Sequence, residues 1–287
     1  MSPSVLVTGA TGKTGRRLVP SLLDVGVTVR AASRRPDASH TRFDWERPET
    51  HDAALDGVDA VYLVPPDFVE DPSGVVGPFL DRAREAGVRR VVLLSSLGAT
   101  FPDEPPDSGR RRLEDGVRES GLGWTMLRPS GFFQNFSEGF LLPGILQAGA
   151  VMSATGRGAV SMVDAGDIAA VAAAALIDHG HDGAEYAVTG PEALTFDEAA
   201  RIVSDVAGRP VAHRAVPSAA FADVLAGSGV PPDYLAMLIR DQEAIRAGYA
   251  AAVTGVVHDV TGRPARAFPE YAAHAAEVWT SKAAPVE

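Results

Sequence analysis

Ser4-Val5-Leu6-Val7-Thr8-Gly9-Ala10-Thr11-Gly12-Lys13-Thr14-Gly15 is the stretch whose reading decides the fold. Val5 to Val7 are consecutive β-favouring apolar residues, enough for one buried parallel strand. Three glycines follow at G-x-x-G-x-x-G spacing, and Arg16-Arg17-Leu18-Val19 and Leu22-Leu23 then repeat at helical intervals. Strand, glycine turn and helix together open a dinucleotide-binding βαβ unit. A turn without side chains lets the backbone approach a pyrophosphate, and the helix N-terminus offers free N–H groups and a positive dipole end to it. Gly12-Lys13-Thr14 also resembles the end of a P-loop. That motif needs glycine five residues before Gly12, where Val7 stands inside the strand, so the phosphate loop would be too short.

Downstream, strands and helices alternate. Val27-Thr28-Val29-Arg30-Ala31-Ala32 is a second strand, Arg42-Phe43-Asp44-Trp45 a short third and Ala60-Val61-Tyr62-Leu63-Val64 a fourth, stopped by Pro65-Pro66. Helical patterns span Thr50 to Leu55, residues 73–86 and Ser108 to Ser120; Val91 to Leu94 and Trp124 to Leu127 supply strands five and six. This alternation predicts an α/β fold, a Rossmann-type doubly wound parallel sheet. A ligand then lies outside the carboxyl ends of the strands. Those ends are Gly9–Gly15, Ser33-Arg34-Arg35, Val64-Pro65-Pro66, Ser95-Ser96-Leu97-Gly98 and Arg128-Pro129-Ser130-Gly131, all polar, glycine-rich or proline-stopped.

Two domains are expected: residues 1–131 as the nucleotide-binding Rossmann core, and 132–287 as a smaller, mainly helical C-terminal substrate lobe, with elements returning to the core at about 150–190. The lobe shows helical alanine-rich runs at 168–177, 197–206, 218–226, 233–247 and 270–280, with strand-like pieces at 185–189 and 211–216. It opens on Phe132-Phe133-Gln134-Asn135-Phe136, an aromatic cluster with two amides that suits a flat polycyclic substrate. Asp103-Glu104-Pro105-Pro106-Asp107 is expected to be a mobile linker, and Asp167 to cap a helix beginning at Ile168.

Composition narrows the function classes. The 287 residues carry 26 basic against 37 acidic side chains, a net charge of −11, which argues against a nucleic-acid partner. Zero cysteines remove disulfides and thiolate chemistry, and the seven histidines are scattered without ligand spacing, so no metal site is expected. No apolar run approaches the ~20 residues that span a bilayer, and Met1-Ser2-Pro3 enters a strand at once. A cytoplasmic protein without membrane association is expected.

The chain resembles the NmrA-like atypical branch of the short-chain dehydrogenase/reductase superfamily. The resemblance rests on T-G-A-T-G-K-T-G (8–15), A-A-S-R-R-P (31–36), A-V-Y-L-V-P-P (60–66), V-V-L-L-S-S (91–96), L-R-P-S-G-F-F-Q-N-F (127–136) and V-D-A-G-D-I-A-A-V (163–171). Within the branch it is most similar to bacterial NAD(P)H:quinone reductases and to reductases of secondary-metabolite pathways. A second strand that ends in Ser33-Arg34-Arg35, with no carboxylate before Asp37, favours NADPH over NADH, because a guanidinium fork matches the 2′-phosphate. The resemblance extends the cofactor set to Gly9, Ala10, Thr11, Gly12, Lys13, Thr14, Gly15, Ser33, Arg34, Arg35, Val64, Pro65, Pro66, Ser95, Ser96, Arg110, Pro129, Ser130, Gly131 and Phe132, and the substrate set to Phe132, Phe133, Gln134, Asn135 and Phe136.

One departure is informative. The superfamily's Tyr-x-x-x-Lys pair falls, by alignment on Glu114, at Pro106 and Arg110. Proline has no acid, and arginine stays protonated. Ser95 and Ser96 remain as the catalytic candidates. The expected function is therefore an NADPH-dependent reductase acting on a carbonyl or quinone of a polycyclic aromatic compound, of the type met in antibiotic biosynthesis. The alternative is a nucleotide-sensing regulator that binds a partner protein.

Overall fold

The computed structural model describes residues 3–35, 37 and 39–280. Met1 and Ser2, Pro36 of the A-A-S-R-R-P stretch, Ala38 and residues 281–287 lie outside the described residues. The first half runs β1 (Ser4–Val7), α1 (Gly15–Asp24), β2 (Thr28–Ser33), β3 (Thr41–Arg42), α2 (His51–Leu55), β4 (Ala60–Leu63), α3 (Ser73–Glu85), β5 (Arg90–Leu94), α4 (Gly109–Glu119) and β6 (Gly123–Pro129). The second half runs α5 (Leu142–Ala148), β7 (Ala150–Ser153), β8 (Ala159–Val160), α6 (Ala165–Ile177), β9 (Ala184–Val188), β10 (Leu194–Thr195), α7 (Phe196–Ala207), β11 (Ala212–Ala215), α8 (Ser218–Gly227), α9 (Pro232–Arg246), α10 (Val256–Thr261), α11 (Phe268–His274) and α12 (Ala276–Thr280).

Seven strands form one sheet in the order β3-β2-β1-β4-β5-β6-β9, every pair parallel. Period-2 side-chain alternation splits its core in two. Val5, Val7, Tyr62, Val92 and Leu127 face α1 and α6; Leu6, Val61, Leu63, Val91, Leu93 and Met126 face the side covered by α2, α3 and α4. Both faces being covered, the strands read as unbroken apolar runs. The chain reverses direction across the sheet between β1 and β4, and that switch point opens the crevice where a ligand is held.

Residues 165–188 return to this sheet through α6 and β9, whereas β7 pairs with β11 in the second lobe. That lobe has its own core, in which Phe133, Phe136, Phe196, Phe268, Tyr271 and Trp279 pack together.

Several expectations change here. The third strand stops at Arg42, because Phe43 turns inward to stack on His51 and meet Phe79 and Trp45. The expected mobile linker 103–107 is tied down, since Glu104 is buried against Arg110. Asp164, not Asp167, caps α6: its carboxylate accepts from the Gly166 amide, while Asp167 lies inside the first turn and accepts from the Arg266 amide. Phe133 and Phe136 are 1% and 0% exposed, so they belong to the core of the lobe and not to a substrate surface. Phe133→Ala should accordingly destabilise the protein by about 3–5 kcal/mol in urea unfolding while leaving the affinity for nucleotide within twofold.

Candidate active site

The glycine turn is built by contact distances. Gly9 sits at φ +62°, a conformation that a side chain disfavours, with Val64 against its Cα. A Cβ on Gly15 would lie 2.7 Å from the Ala10 Cα and closer still to the Gly9 carbonyl oxygen; one on Gly12 would lie 3.1 Å from the same oxygen. Gly15 lets α1 start directly against the end of β1. The amides of Thr11, Lys13 and Thr14 have no acceptor among the described residues, whereas those of Ala10 and Gly12 bond Ala32 and Gly9. Thr8 braces the crevice, because its hydroxyl accepts from the Val64 amide and donates to the Tyr62 carbonyl. A row of open amides at a helix N-terminus, with no Cβ in the way, fits a pyrophosphate. Beside it, Ala10, Thr11, Arg16, Val19, Pro20 and His40 line a groove of about 370 Å³.

At the end of β2, Arg34 and Arg35 are exposed and Ser33 is partly buried. Arg34 stands 4.0 Å from Asp67 across the crevice mouth, both side chains well exposed. Lys13 is half-buried, and desolvation lowers its pKa against the opposing pull of Asp67. Lys13 and Arg34 thus share Asp67 as an opposing charge at this mouth, with Arg35 next in sequence. Val64, Pro65 and Pro66 follow β4, partly exposed, while Pro129, the last residue of β6, and Ser130 after it are buried and Gly131 and Phe132 partly so.

The two serines after β5 are already engaged. Ser95 Oγ donates to Glu114 Oε1 at 2.6 Å, and Ser96 Oγ accepts from the Gly98 amide. Glu114 also receives a two-pronged bond from Arg128 and one from Arg118, and both arginines continue to Glu185. Arg110 is 8% exposed and lies between Glu104 and Asp241, bonding each through two nitrogens, with Nη1 3.5 Å from Ser96 Oγ. Gly98 makes room for it: a Cβ there would lie 2.8 Å from the guanidinium carbon. Arg110 therefore stands at the expected lysine position as a tie between the fifth strand end and α9.

The expected tyrosine position and the one tyrosine nearby in sequence offer no acid. Pro106 carries none, and Tyr62 is fully buried beside Thr14, its hydroxyl without a hydrogen bond of good geometry and its pKa pushed up by burial. Gln134 is buried and occupied with Asp164 and the Ala165 amide; Asn135 is partly exposed. Asp241, Glu104, Asp67 and Tyr234 are the site residues that sequence reading missed. The seven-residue spacing of Tyr234 and Asp241, two turns on one helix face, was the available signal for the α9 pair. Among the described residues no group of histidines and carboxylates could hold a metal, and no helix is long and apolar enough to cross a membrane.

A family described as NAD(P)H-binding matches residues 9–179. The chain is 38% identical over 285 residues to a (4-alkanoyl-5-oxo-2,5-dihydrofuran-3-yl)methyl phosphate reductase of Streptomyces griseus, covering 96% of this chain and 99% of that one. It is also 38% identical over 287 residues to an NAD(P)H azoreductase of Xenophilus azovorans, covering 95% and 98%. Among solved structures, an NADPH-dependent quinone oxidoreductase of Escherichia coli complexed with NADPH superimposes with a TM-score of 0.80 at 24% identity, over 94% of this chain and 99% of that one.

Burial by itself pushes the Glu114 carboxyl up; the hydrogen bonds from Arg128 and Ser95 and the charge of Arg118 overcome this and hold it below its ordinary value. A carboxylate depressed by folding stabilises the protein above its unfolded pKa of about 4.3, and that contribution is lost as pH falls through the folded value. Glu114→Gln should cost about 3 kcal/mol at pH 7, because Arg128 loses its main partner. Urea midpoints measured between pH 7 and 3 should fall less steeply in the variant than in the native protein.

Proposed function

The chain belongs to the NAD(P)H-binding family, and from that premise we propose that it is an NmrA-like atypical short-chain dehydrogenase/reductase, an NADPH-preferring reductase of quinones and of carbonyls conjugated to aromatic systems, of the secondary-metabolite type. The observation that carries this reading is the fate of the usual acid site, where Pro106 replaces the tyrosine and Arg110 is locked by Glu104 and Asp241.

When bound, the nicotinamide supplies a hydride. The residues of this chain do the rest. The open amides of Thr11, Lys13 and Thr14 hold the pyrophosphate, and Arg34 and Arg35 neutralise the 2′-phosphate. Ser95 is kept by Glu114 and Ser96 by the Gly98 amide, so both shape the floor of the site in preference to moving protons. Without an acid at the expected tyrosine position, the site favours acceptors that turn into stabilised anions, whose proton is drawn from water or from a neighbouring hydroxyl of the substrate. General acid catalysis contributes only ~10²–10⁴-fold, so positioning alone leaves a working reductase for such acceptors. Two of the 38% identical relatives are named for a conjugated furanone and for an azo compound, which are electron-poor π systems of this sort.

The same lack of an acid favours a second reading, a nucleotide-sensing regulator of a partner protein. NADPH oxidation measured at 340 nm against a panel of quinones and polycyclic ketones separates them: turnover with members of the panel is expected, and tight NADPH binding without turnover on any member favours the regulator. Arg34→Ala should weaken NADPH about tenfold in a fluorescence titration and leave NADH within twofold; a variant that prefers NADPH as strongly as the native chain would remove Arg34 from the 2′-phosphate site.

A further inference from the structure

Tyr234 and Phe68 come from different lobes and meet at the carboxyl edge of the sheet. Phe68 lies five residues past the end of β4, next to the crevice mouth marked by Asp67 and Arg34. Its ring is 57% exposed, and among the described residues it is the one non-glycine position with positive φ, at 60°. A phenylalanine held outward in a disfavoured backbone conformation gains nothing from burial in this form. Its edge meets the Tyr234 ring at 5.5 Å between centroids and 68° between planes, so the two rings make an aromatic corner.

Tyr234 reaches that corner because of how α9 is fixed. Tyr234, Met237, Asp241 and Ala244 fall on one face of the helix; Met237 and Ala244 are buried, and Asp241 is clamped by Arg110. The clamp holds Tyr234 within electrostatic reach of Arg110, Asp241 and Asp67, beside the place where the superfamily's tyrosine and lysine are missing. Its ring is largely covered, yet its hydroxyl makes no hydrogen bond among the described residues. Burial raises its pKa, with Asp67 and Asp241 adding to the effect and Arg110 opposing it, so the phenol stays protonated and can donate.

We propose that Phe68 and Tyr234 are the substrate-holding pair of this enzyme, Phe68 as the stacking wall for a flat ligand and the Tyr234 hydroxyl as the hydrogen-bond donor to its acceptor oxygen. This rests on the reductase reading and gives it a substrate side. Asp241 and Arg110 act through Tyr234, as positioning residues.

The test is calorimetric binding of anthraquinone-2-sulfonate to the full-length protein, alongside fluorescence titration with NADPH. Tyr234→Phe keeps the ring and should weaken the probe about tenfold, the loss of one hydrogen bond. Phe68→Ala, on an exposed side chain, should weaken it about fivefold, and Tyr234→Ala more than Tyr234→Phe. NADPH affinity should stay within twofold in all three. If Tyr234→Phe and Phe68→Ala both bind the probe as the native chain does, the inference is overturned while turnover on the quinone panel leaves the reductase reading standing. If the native protein neither binds the probe nor reduces any member of the panel, both are overturned.

Discussion

The packing of Gly15 against Gly9 and Ala10 is the contact on which the rest of the molecule depends. A backbone with no Cβ at position 15 lets α1 begin directly over the end of β1, and from there α1 packs on α6 and α6 on the sheet. The alanine-rich face of α6 (Ala165, Ala169, Ala172, Ala175), buried throughout, permits that close three-layer approach. Any side chain at Gly15 would push α1 outward, spoiling at once the layer beneath and the cradle of open amides above. Packing and ligand recognition share one steric condition, which is why the turn carries so much of the fold in so few residues.

A second constraint governs how the lobes meet. Arg110 is shared by Glu104, from the segment before α4, and Asp241, from α9, and Arg240 approaches Glu104 and Glu70 from the same helix. Burying charges is costly unless they are paired with good geometry, and the two-pronged bonds of Arg110 supply it for Glu104 and Asp241, whereas the buried Nε of Arg240 has no hydrogen-bond partner among the described residues. Hydrophobic contact alone would let α9 slide along its apolar stripe; a fork between two carboxylates does not. The substrate side thus owes its shape to an ionic joint, in contrast to the sheet, whose layers are held by apolar burial.

Legibility in the sequence follows the range of the interactions. The glycine turn and five of the six leading strands were readable because each is set by local pattern, apolar runs and helical repeats bounded by prolines and glycines; the third strand was not, since Phe43 leaves it for contacts with His51 and Phe79. What was not readable depends on partners far along the chain. Phe133 and Phe136 look alike as core or as pocket until α7, α11 and α12 close over them. Glu104 sits among prolines and acids that suggest a free loop, and only Arg110 and Arg240 pull it inside. The cap at Asp164 was displaced by three residues because both carboxylates fit the local rule, and the Arg266 amide decides which of them is free to cap.

Gly98 has a consequence for the evolvability of this chain. The guanidinium of Arg110 fills the space that a side chain at position 98 would take, and its charge answers Glu104 and Asp241 together. Restoring the ordinary superfamily pair would need Pro106→Tyr and Arg110→Lys, yet a single ammonium cannot make both two-pronged bonds and would leave a void beside Gly98. The two changes would have to arrive with others at 98, 104 and 241, none of which helps alone. Arg110 is therefore hard to exchange one substitution at a time, because its space and its two carboxylate partners are coupled to one another.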